Sequence, residues 1–294
     1  MEFDVIVIGH ITIDVNVLPW GIIENMLGGA PTYAGFMLAS LGEKVGVVSK
    51  IGEDFPDKFP PLYGKFGLDT EGIYSIPEKT TIFENTYDES GKRRQTCWLL
   101  PSKISPKEIP QAYFHTRSFY VSPVGDEITP NVLETVKKKE NVVMLDPQGL
   151  FRKVAEDGRV DIQKPDNLGD YLTHVDIVKI GQDEFQAFAK SPEETLKELV
   201  EAGPKVAILT QGEKGCVVLS DGKFSEFEGL KVEVKDLTGA GDVFGAAFLV
   251  RYLNTNDVAE SAKFATAAAS LKIKYKGPSG FPTEGEILKA LSSQ

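Results

Sequence analysis

One segment of the sequence has glycines and carboxylates spaced for chemistry on a phosphate. Residues 236–242 read Asp-Leu-Thr-Gly-Ala-Gly-Asp, between a strand-like run at 231–234 and an apolar run of helix length at 243–252. A glycine-rich turn that enters a helix leaves backbone N–H groups unpaired at the positive end of the helix dipole, which favours an anion. Asp242 adds a carboxylate beside this predicted anion site.

A carboxylate next to a bound anion needs a chemical role. In phosphoryl transfer it accepts the proton of the attacking hydroxyl, while N–H groups stabilise the charge on the transferred phosphate. Gly239 and Gly241 would let the backbone approach that phosphate closely. The alternative is that Asp242 only caps the helix and the glycines only form a tight turn, which is common before helices. The segment alone does not decide between the two.

The elements that must position this segment follow a regular alternation. Apolar runs of strand length alternate with helix-length amphipathic segments, which predicts an α/β fold: a mostly parallel central sheet with helices on both faces, in three α/β/α layers. Several runs are continuously apolar, as suits strands buried on both faces. The predicted strands are 3–8, 44–51, 119–121, 142–145, 177–180 and 206–210, and the predicted helices are 32–41, 130–139, 182–189 and 192–202.

Two stretches break the alternation. Residues 80–99 read as an antiparallel hairpin with its turn at Ser90-Gly91, and with 11–17 they could form a small sheet. Such a sheet has too little core to stand alone. We therefore expect one domain over 1–294, with a lid built from about 11–17 and 72–99. Short strands within 215–234, with turns at Asp221-Gly222 and Glu228-Gly229, should extend the main sheet at its edge.

Composition excludes several classes of function. The chain has 43 acidic and 32 basic residues and a net charge of −11, which argues against nucleic acid or an anionic membrane as the partner. Cys97 and Cys216 fit neither a disulfide framework nor a zinc site. The first residues do not resemble a signal peptide, and the longest apolar run is too short to cross a bilayer. We expect a cytoplasmic protein that acts on a small molecule.

The chemistry-bearing segment resembles a known signature. Residues 236–242 resemble the DTxGAGD motif of the ribokinase (PfkB) family of carbohydrate and nucleoside kinases. Residues 28–34, Gly-Gly-Ala-Pro-Thr-Tyr-Ala, resemble the family's first signature, in which a glycine pair opens a helix that lines the acceptor site. Gly9, Asp14 and 52–54 follow in family order, so the resemblance spans nearly the whole chain. It implies a kinase that uses ATP and Mg²⁺ and has a β lid.

The resemblance implies roles for individual residues. Asp242 would be the catalytic base, and Gly239, Ala240 and Gly241 the anion hole. Acceptor contacts are implied at Asp14, Gly28, Gly29, Tyr33, Gln148 and Arg152, and nucleotide contacts at Thr210, Gly212, Gly215, Thr238 and Gly277. The glycine pair could also be a simple helix-start turn, and 210–215 a hairpin-type turn.

The motif associated with magnesium departs from the family pattern. The family's NxxE should follow the predicted strand 177–180, but Gly181 stands at the asparagine position while Glu184 matches the acid. Because Mg²⁺ keeps several waters and takes few protein carboxylates, the resemblance implies that Glu184 binds it through water. The alternative is that Glu184 is simply an acid in the first turn of a helix.

Three departures bear on the acceptor. Residues 146–152 follow a predicted strand and resemble the DPNxR segment of sugar kinases, with Gln148 in place of asparagine. Tyr33 stands where ribokinases usually have asparagine, so ribose is not expected. Together with Gly-Lys-Arg-Arg at 91–94, these features resemble the myo-inositol kinase-like branch. We expect a small polyol or sugar as the acceptor.

Other interpretations stay open at this point. A nucleoside acceptor would be served by Tyr33 or Trp98 stacking on a base, and a non-catalytic member would only bind nucleotide or sugar. A Rossmann oxidoreductase is disfavoured because 9–14 has one glycine instead of GxGxxG. An exposed edge of the lid sheet would make a homodimer through the lid possible.

Overall fold

The computed structural model describes residues 2–18, 21–89, 93–99 and 102–293. The strands are β1 (Phe3–Ile8), β2 (Thr12–Leu18), β3 (Gly21–Gly28), β4 (Val45–Gly52), β5 (Asp69–Ile76), β6 (Ile82–Tyr87), β7 (Arg93–Cys97), β8 (Thr116–Val121), β9 (Val142–Leu145), β10 (Arg152–Val154), β11 (Val160–Ile162), β12 (Ile177–Ile180), β13 (Val206–Thr210), β14 (Cys216–Ser220) and β15 (Lys223–Phe227). The helices are α1 (Ala30–Ser40), α2 (Pro60–Lys65), α3 (Pro130–Val136), α4 (Leu168–Leu172), α5 (Gln182–Gln186), α6 (Pro192–Glu201), α7 (Ala240–Thr255), α8 (Val258–Lys272) and α9 (Glu284–Ser292).

A nine-stranded sheet forms the centre of the protein, in the order β15-β14-β13-β12-β9-β8-β1-β4-β5. Its strands pair in parallel except at the β13–β14 and β14–β15 steps, which are antiparallel. Along β1, Val5 and Val7 belong to the core with α1 and α7, whereas Ile6 and Ile8 face the core with α3. Alternate residues of a strand point to opposite faces, so helices cover both faces as predicted.

The predicted parallel strands are confirmed, four of them with the same bounds. Continuous apolar runs mark them because a parallel sheet covered on both sides leaves no polar face. The segment 231–234 is a different case, since the structure gives it no strand. Val234 is exposed there, and the N–H groups of Lys235 and Asp236 donate to the Ile273 carbonyl. The strand prediction was wrong because β15 ends at Phe227 and no strand edge lies beside these residues.

A second, four-stranded sheet has the order β3-β2-β6-β7. Its strands β2, β6 and β7 lie where the sequence predicts a lid, although the turn at Ser90-Gly91 lies outside the described residues. Strand β3 was missed, because its exposed Ile22 and Ile23 break the alternation of a half-buried strand. The lid boundary at 72 was wrong. Strand β5 pairs in parallel with β4 in the large sheet, where Gly72 fits closely against the Val47 carbonyl.

Helix α1 begins at a point of close backbone contact. Gly29, its N-cap, has a φ of +85°, and a side chain there would lie 2.2 Å from the His10 carbonyl oxygen. Only glycine satisfies both the left-handed backbone and this contact. The junction therefore fixes where the lid strand β3 ends and where α1 enters the core. No helix in the described part of the chain is long and apolar enough to span a membrane.

An aromatic cluster anchors α1 in the core. Phe36 stacks on Phe66 with 4.1 Å between ring centroids and also contacts Tyr63 and Phe281. We expect Phe36→Ala to lower the free energy of unfolding by about 3–5 kcal/mol, because it leaves a cavity in a fully buried site. Denaturant unfolding measures this, with the partly exposed Phe224→Ala as control. A cost below 1 kcal/mol would mean that the cluster does not anchor α1.

Candidate active site

A cleft of about 640 Å³ opens where the carboxyl ends of the parallel strands meet the start of α7 and the lid. Open α/β sheets bind their ligands at this edge. The structure brings most of the residues identified from the sequence to this cleft. They are Asp14, Gly29, Tyr33, Gln148, Arg152, Glu184, Thr210, Gly212, Thr238, Gly239, Ala240, Gly241 and Asp242.

Three predicted site residues, Gly28, Gly215 and Gly277, do not line the cleft. A side chain at Gly28 would lie 2.6 Å from the Asp14 carboxylate, so this glycine leaves room for Asp14. Gly215 has a φ of +83° and sits against the Phe227 carbonyl. The N–H of Gly277 donates to Asp236 Oδ2 at 2.7 Å. All three support neighbouring parts of the site.

The glycine-rich turn is held in place at both ends. Asp236 accepts hydrogen bonds from the N–H of Thr238 at 2.9 Å and from Gly277, which ties the turn to the C-terminal segment. Gly239 is the N-cap of α7 with a φ of +74°, and a side chain there would lie 2.1 Å from the Tyr33 ring. The first N–H groups of a helix have no acceptor within the helix. Gly239, Ala240 and Gly241 line the cleft, so this end of the helix offers it an anion site, although the N–H of Ala240 also donates to the Leu237 carbonyl at 3.2 Å.

Asp242 lies in the first turn of α7 and is only 9% exposed. Burial raises the pKa of this carboxyl, and the charge of Asp146 raises it further. Lys179, Arg152 and a hydrogen bond from Gln148 act in the opposite direction, and the resulting pKa is about 7. A carboxyl with that pKa is a base suited to neutral pH.

Gln148 orients the carboxylate of Asp242. Its Nε2 donates to Asp242 Oδ1 at 3.3 Å and to Ser122 Oγ at 3.1 Å. Arg152 in turn donates to Gln148 Oε1 at 3.1 Å and to the Val124 carbonyl at 2.8 Å. This chain of hydrogen bonds fixes the amide orientation. The structure thus gives Gln148 a direct contact with the predicted base.

A second group of charged side chains lies in the same cleft as Asp242, close to the carboxyl ends of β9 and β12. Glu184 accepts a 2.7 Å hydrogen bond from the N–H of Gly181, and its pKa is raised by burial and by the charge of Asp146. Lys179 forms a 2.6 Å ion pair with Asp146, and both side chains are almost fully buried. Sequence reasoning missed Lys179 and the charge of Asp146. The available signal was a lysine inside the apolar strand Ile177–Ile180.

The carboxylates of this group fit a magnesium ion. Asp146 and Glu184 both line the cleft, and Asp146 Oδ1 is buried with no hydrogen-bond partner in the described residues. Within those residues, no group of three or more His, Cys, Asp or Glu side chains forms a closed metal site. Mg²⁺ is typically bound by one or two carboxylates together with waters and substrate phosphates. An oxygen without a partner beside Glu184 supplies that kind of site.

The lid contributes polar side chains that the sequence did not single out. Asn85 and Gln95 line the cleft, and Gln95 Nε2 donates to Asn85 Oδ1 at 3.0 Å. Thr12 Oγ1 donates to Asp14 Oδ1 at 3.0 Å. Their types and spacing resemble those of any solvated hairpin, so only the fold reveals them. Gly91 and Lys92, expected here from the sequence, lie outside the described residues.

Comparison with known proteins identifies the family. The profile of the pfkB family carbohydrate kinases matches residues 3–284. The chain belongs to this family. It is 30% identical over 282 residues to the cytidine kinase of Thermococcus kodakarensis, covering 93% of this chain and 97% of that protein. It is 24% identical over 322 residues to a 5-dehydro-2-deoxygluconokinase of Clostridium botulinum, covering 97% and 92%.

Solved structures share the fold. A putative ribokinase II from E. coli, in complex with ATP and Mg²⁺, has a TM-score of 0.81 at 22% identity and covers 99% of this chain and 100% of its own. A pyrophosphate-dependent kinase in the ribokinase family, complexed with a pyrophosphate analogue and myo-inositol, has a TM-score of 0.82 at 22% identity with the same coverage. The protein is a phosphotransferase, a sugar or nucleoside kinase of the pfkB family with a ribokinase-like fold.

The raised pKa of Asp242 predicts a pH dependence. The carboxyl must be ionised to accept a proton, so kcat/KM should fall about tenfold per unit as the pH drops below about 7. Steady-state rates from pH 5 to pH 9 measure this. Gln148→Leu removes a hydrogen bond that lowers the pKa of Asp242, so it should move the inflection to higher pH. A flat profile down to pH 5 would contradict the assignment.

The backbone at Gly239 predicts a second outcome. Gly239→Ala should lower kcat/KM at least 100-fold, because the methyl group collides with Tyr33 and displaces the anion site. Gly222→Ala is the matched control, since Gly222 has a φ of +72° but open space around its Cβ. The control should keep its activity and lose about 1 kcal/mol of stability. Kinetics and thermal unfolding of both variants test this; an active Gly239→Ala enzyme would refute it.

Proposed function

We propose that the protein is an ATP- and Mg²⁺-dependent kinase that transfers the γ-phosphoryl group to a hydroxyl of a small polyol or sugar, with myo-inositol or a related carbohydrate favoured. The observation that carries the proposal is the buried Asp242 carboxylate at the start of α7, in one cleft with the glycine-rich turn and the polar lid. ATP and Mg²⁺ are both present in the E. coli ribokinase II complex, which shares the fold.

The chemistry needs one proton acceptor and one anion site. Asp242 takes the proton of the acceptor hydroxyl while the oxygen of that hydroxyl forms a bond to the γ-phosphorus. The bond from that phosphorus to the bridging oxygen breaks, and ADP leaves. The N–H groups at Gly239 to Gly241 hold the charge on the transferred group. Asp146 and Glu184 would hold Mg²⁺, which would supply positive charge to neutralise the donor phosphates.

The two ends of the cleft divide the substrates. We assign Thr210, Gly212 and Thr238, which line the cleft, to the donor. We assign Asp14, Asn85 and the other lid side chains that line it to the acceptor. Because the lid lies over the acceptor end, its closure would keep water from attacking the donor.

The acceptor end favours a molecule rich in hydroxyl groups. Among the described residues that line the cleft, the aromatic ones are Tyr33 and Phe83, exposed by 1% and 4%. Tyr33 packs on Gly239, and the Arg152 guanidinium covers the Phe83 ring at 5.0 Å. Trp98 is exposed and does not line the cleft. These rings offer little face to stack on a base, whereas carboxylate and amide groups suit hydroxyls.

A nucleoside is the second candidate acceptor. It is favoured by the 30% identity to a cytidine kinase over nearly the whole chain. The amides of Asn85 and Gln95 can both donate and accept, so they could bind the polar edge of a base. A member that only binds its ligands is disfavoured, because it would not need a buried base beside the anion site.

An ADP-release assay distinguishes these functions. The acceptors are myo-inositol, fructose, 5-dehydro-2-deoxygluconate, ribose, adenosine and cytidine, with ATP as the donor. With pyrophosphate as the donor, release of orthophosphate is measured instead. We expect turnover of a polyol or sugar with ATP, and a loss of 10²–10⁴-fold in kcat in Asp242→Asn, which retains the shape of Asp242 but not its basicity. Cytidine as the preferred acceptor would favour the second candidate. If the protein bound ATP but turned over none of these acceptors, the proposal that it is a kinase for them would be refuted.

A further inference from the structure

Lys179 is a buried cation for which packing gives no reason. It lies on the apolar strand β12 and is 4% exposed, and its Nζ is 2.6 Å from Asp146 Oδ2. Burying a lysine and a carboxylate costs desolvation energy that can exceed the gain from their attraction, and an apolar pair of similar volume is often as stable. A buried lysine is rare unless it is paired. This ion pair is therefore better explained by function than by stability.

The position of the ammonium links it to the anion site. A methyl group placed on Gly241 would lie 3.0 Å from Lys179 Nζ, so the charge sits directly beside the turn that holds the phosphate. The ion pair with Asp146 at 2.6 Å favours the charged ammonium over the neutral amine. The carboxyl groups of Asp242 and Glu184 line the same cleft. The ammonium is thus charged and close to both the base and the metal-binding carboxylates.

Both members of the pair have bonding capacity left over. An ammonium has three N–H donors, and Lys179 Nζ donates to one acceptor, Asp146, among the described residues. Asp146 Oδ1 is buried and has no hydrogen-bond partner there. A pair that served the fold alone would have its polar groups satisfied internally. Both residues line the cleft, where a ligand could use this remaining capacity.

We propose that Lys179 is a catalytic residue that donates hydrogen bonds to the phosphoryl group during its transfer. It thereby completes the anion site formed by Gly239 to Gly241. Asp146 holds the ammonium in place and, with its other oxygen unpaired, would also help to hold the metal. Lys179 forms no covalent bond and gives up no proton, so the transfer itself is unchanged. The proposal rests on the proposed kinase function and adds a residue to it.

Kinetics of Lys179→Met test the role. Methionine keeps much of the length of lysine but carries no charge or donor. We expect kcat to fall at least 100-fold, since the lost contact is made chiefly in the transition state, with the acceptor KM within threefold of the wild type. Lys179→Arg keeps the charge and should regain at least tenfold over Lys179→Met. A folded Lys179→Met enzyme with kcat within threefold of wild type, or with a loss confined to KM, overturns the proposal.

A matched pair elsewhere in the chain controls for breaking an ion pair. Lys137 Nζ is 2.7 Å from Asp176 Oδ2, and Asp176 precedes β12 at the end far from the cleft. Lys137→Met should lower the unfolding temperature but leave kcat within twofold of wild type. If Lys179→Met does not fold, Lys179→Gln, which keeps a donor for Asp146, takes its place with the same expected loss.

Failure of the proposed function is visible in the wild type alone, as absence of turnover with any acceptor. In that case hydrolysis of ATP by water provides the readout, because it uses the same transferred group. The wild-type rate should exceed that of Lys179→Met at least tenfold, while isothermal titration shows ATP affinities within threefold of each other. Equal hydrolysis rates in the two folded proteins would overturn the role of Lys179.

Discussion

The cleft depends on an electrostatic constraint: three carboxylates, of Asp146, Glu184 and Asp242, are buried close together. Like charges in a medium of low polarity repel strongly, and each carboxylate also loses its hydration. Lys179 and Arg152 supply two positive charges against three carboxyl groups, and burial, together with the charge of Asp146, raises the pKa of Asp242. The remaining imbalance makes the site receptive to a divalent cation and leaves Asp242 able to take up a proton near neutral pH.

The sheet satisfies this constraint because of its topology. Asp146 follows β9, Lys179 lies on β12, and these two strands are neighbours in the sheet. Parallel strands end at the same edge, so charges far apart in sequence meet there. Helix α7 then brings Asp242 and the glycine-rich turn to that edge. Gly181 belongs to the same arrangement: its φ of −99° does not require glycine, but its N–H holds Glu184 and its missing side chain leaves the space beside that carboxylate empty.

Much of this arrangement could be predicted from the sequence, for definite physical reasons. Buried parallel strands are continuous apolar runs, and the 236–242 turn encodes its own geometry locally through glycine. The strand predicted at 231–234 was wrong because alternation specifies a strand only when a partner edge is present. Lys179, Asn85 and Gln95 were missed for the opposite reason. Their roles arise from neighbours that only the folded chain brings to them.

The junction between the lid and the core has a mechanical consequence. Strand β3 of the lid runs directly into α1 through Gly29, and the first turns of α1 carry Tyr33, whose ring rests on Gly239. The lid and the glycine-rich turn are therefore joined by one short, tightly packed connection through the start of α1. A movement of β3 would be transmitted through the start of α1 to the turn at Gly239, so the lid and that turn are mechanically linked.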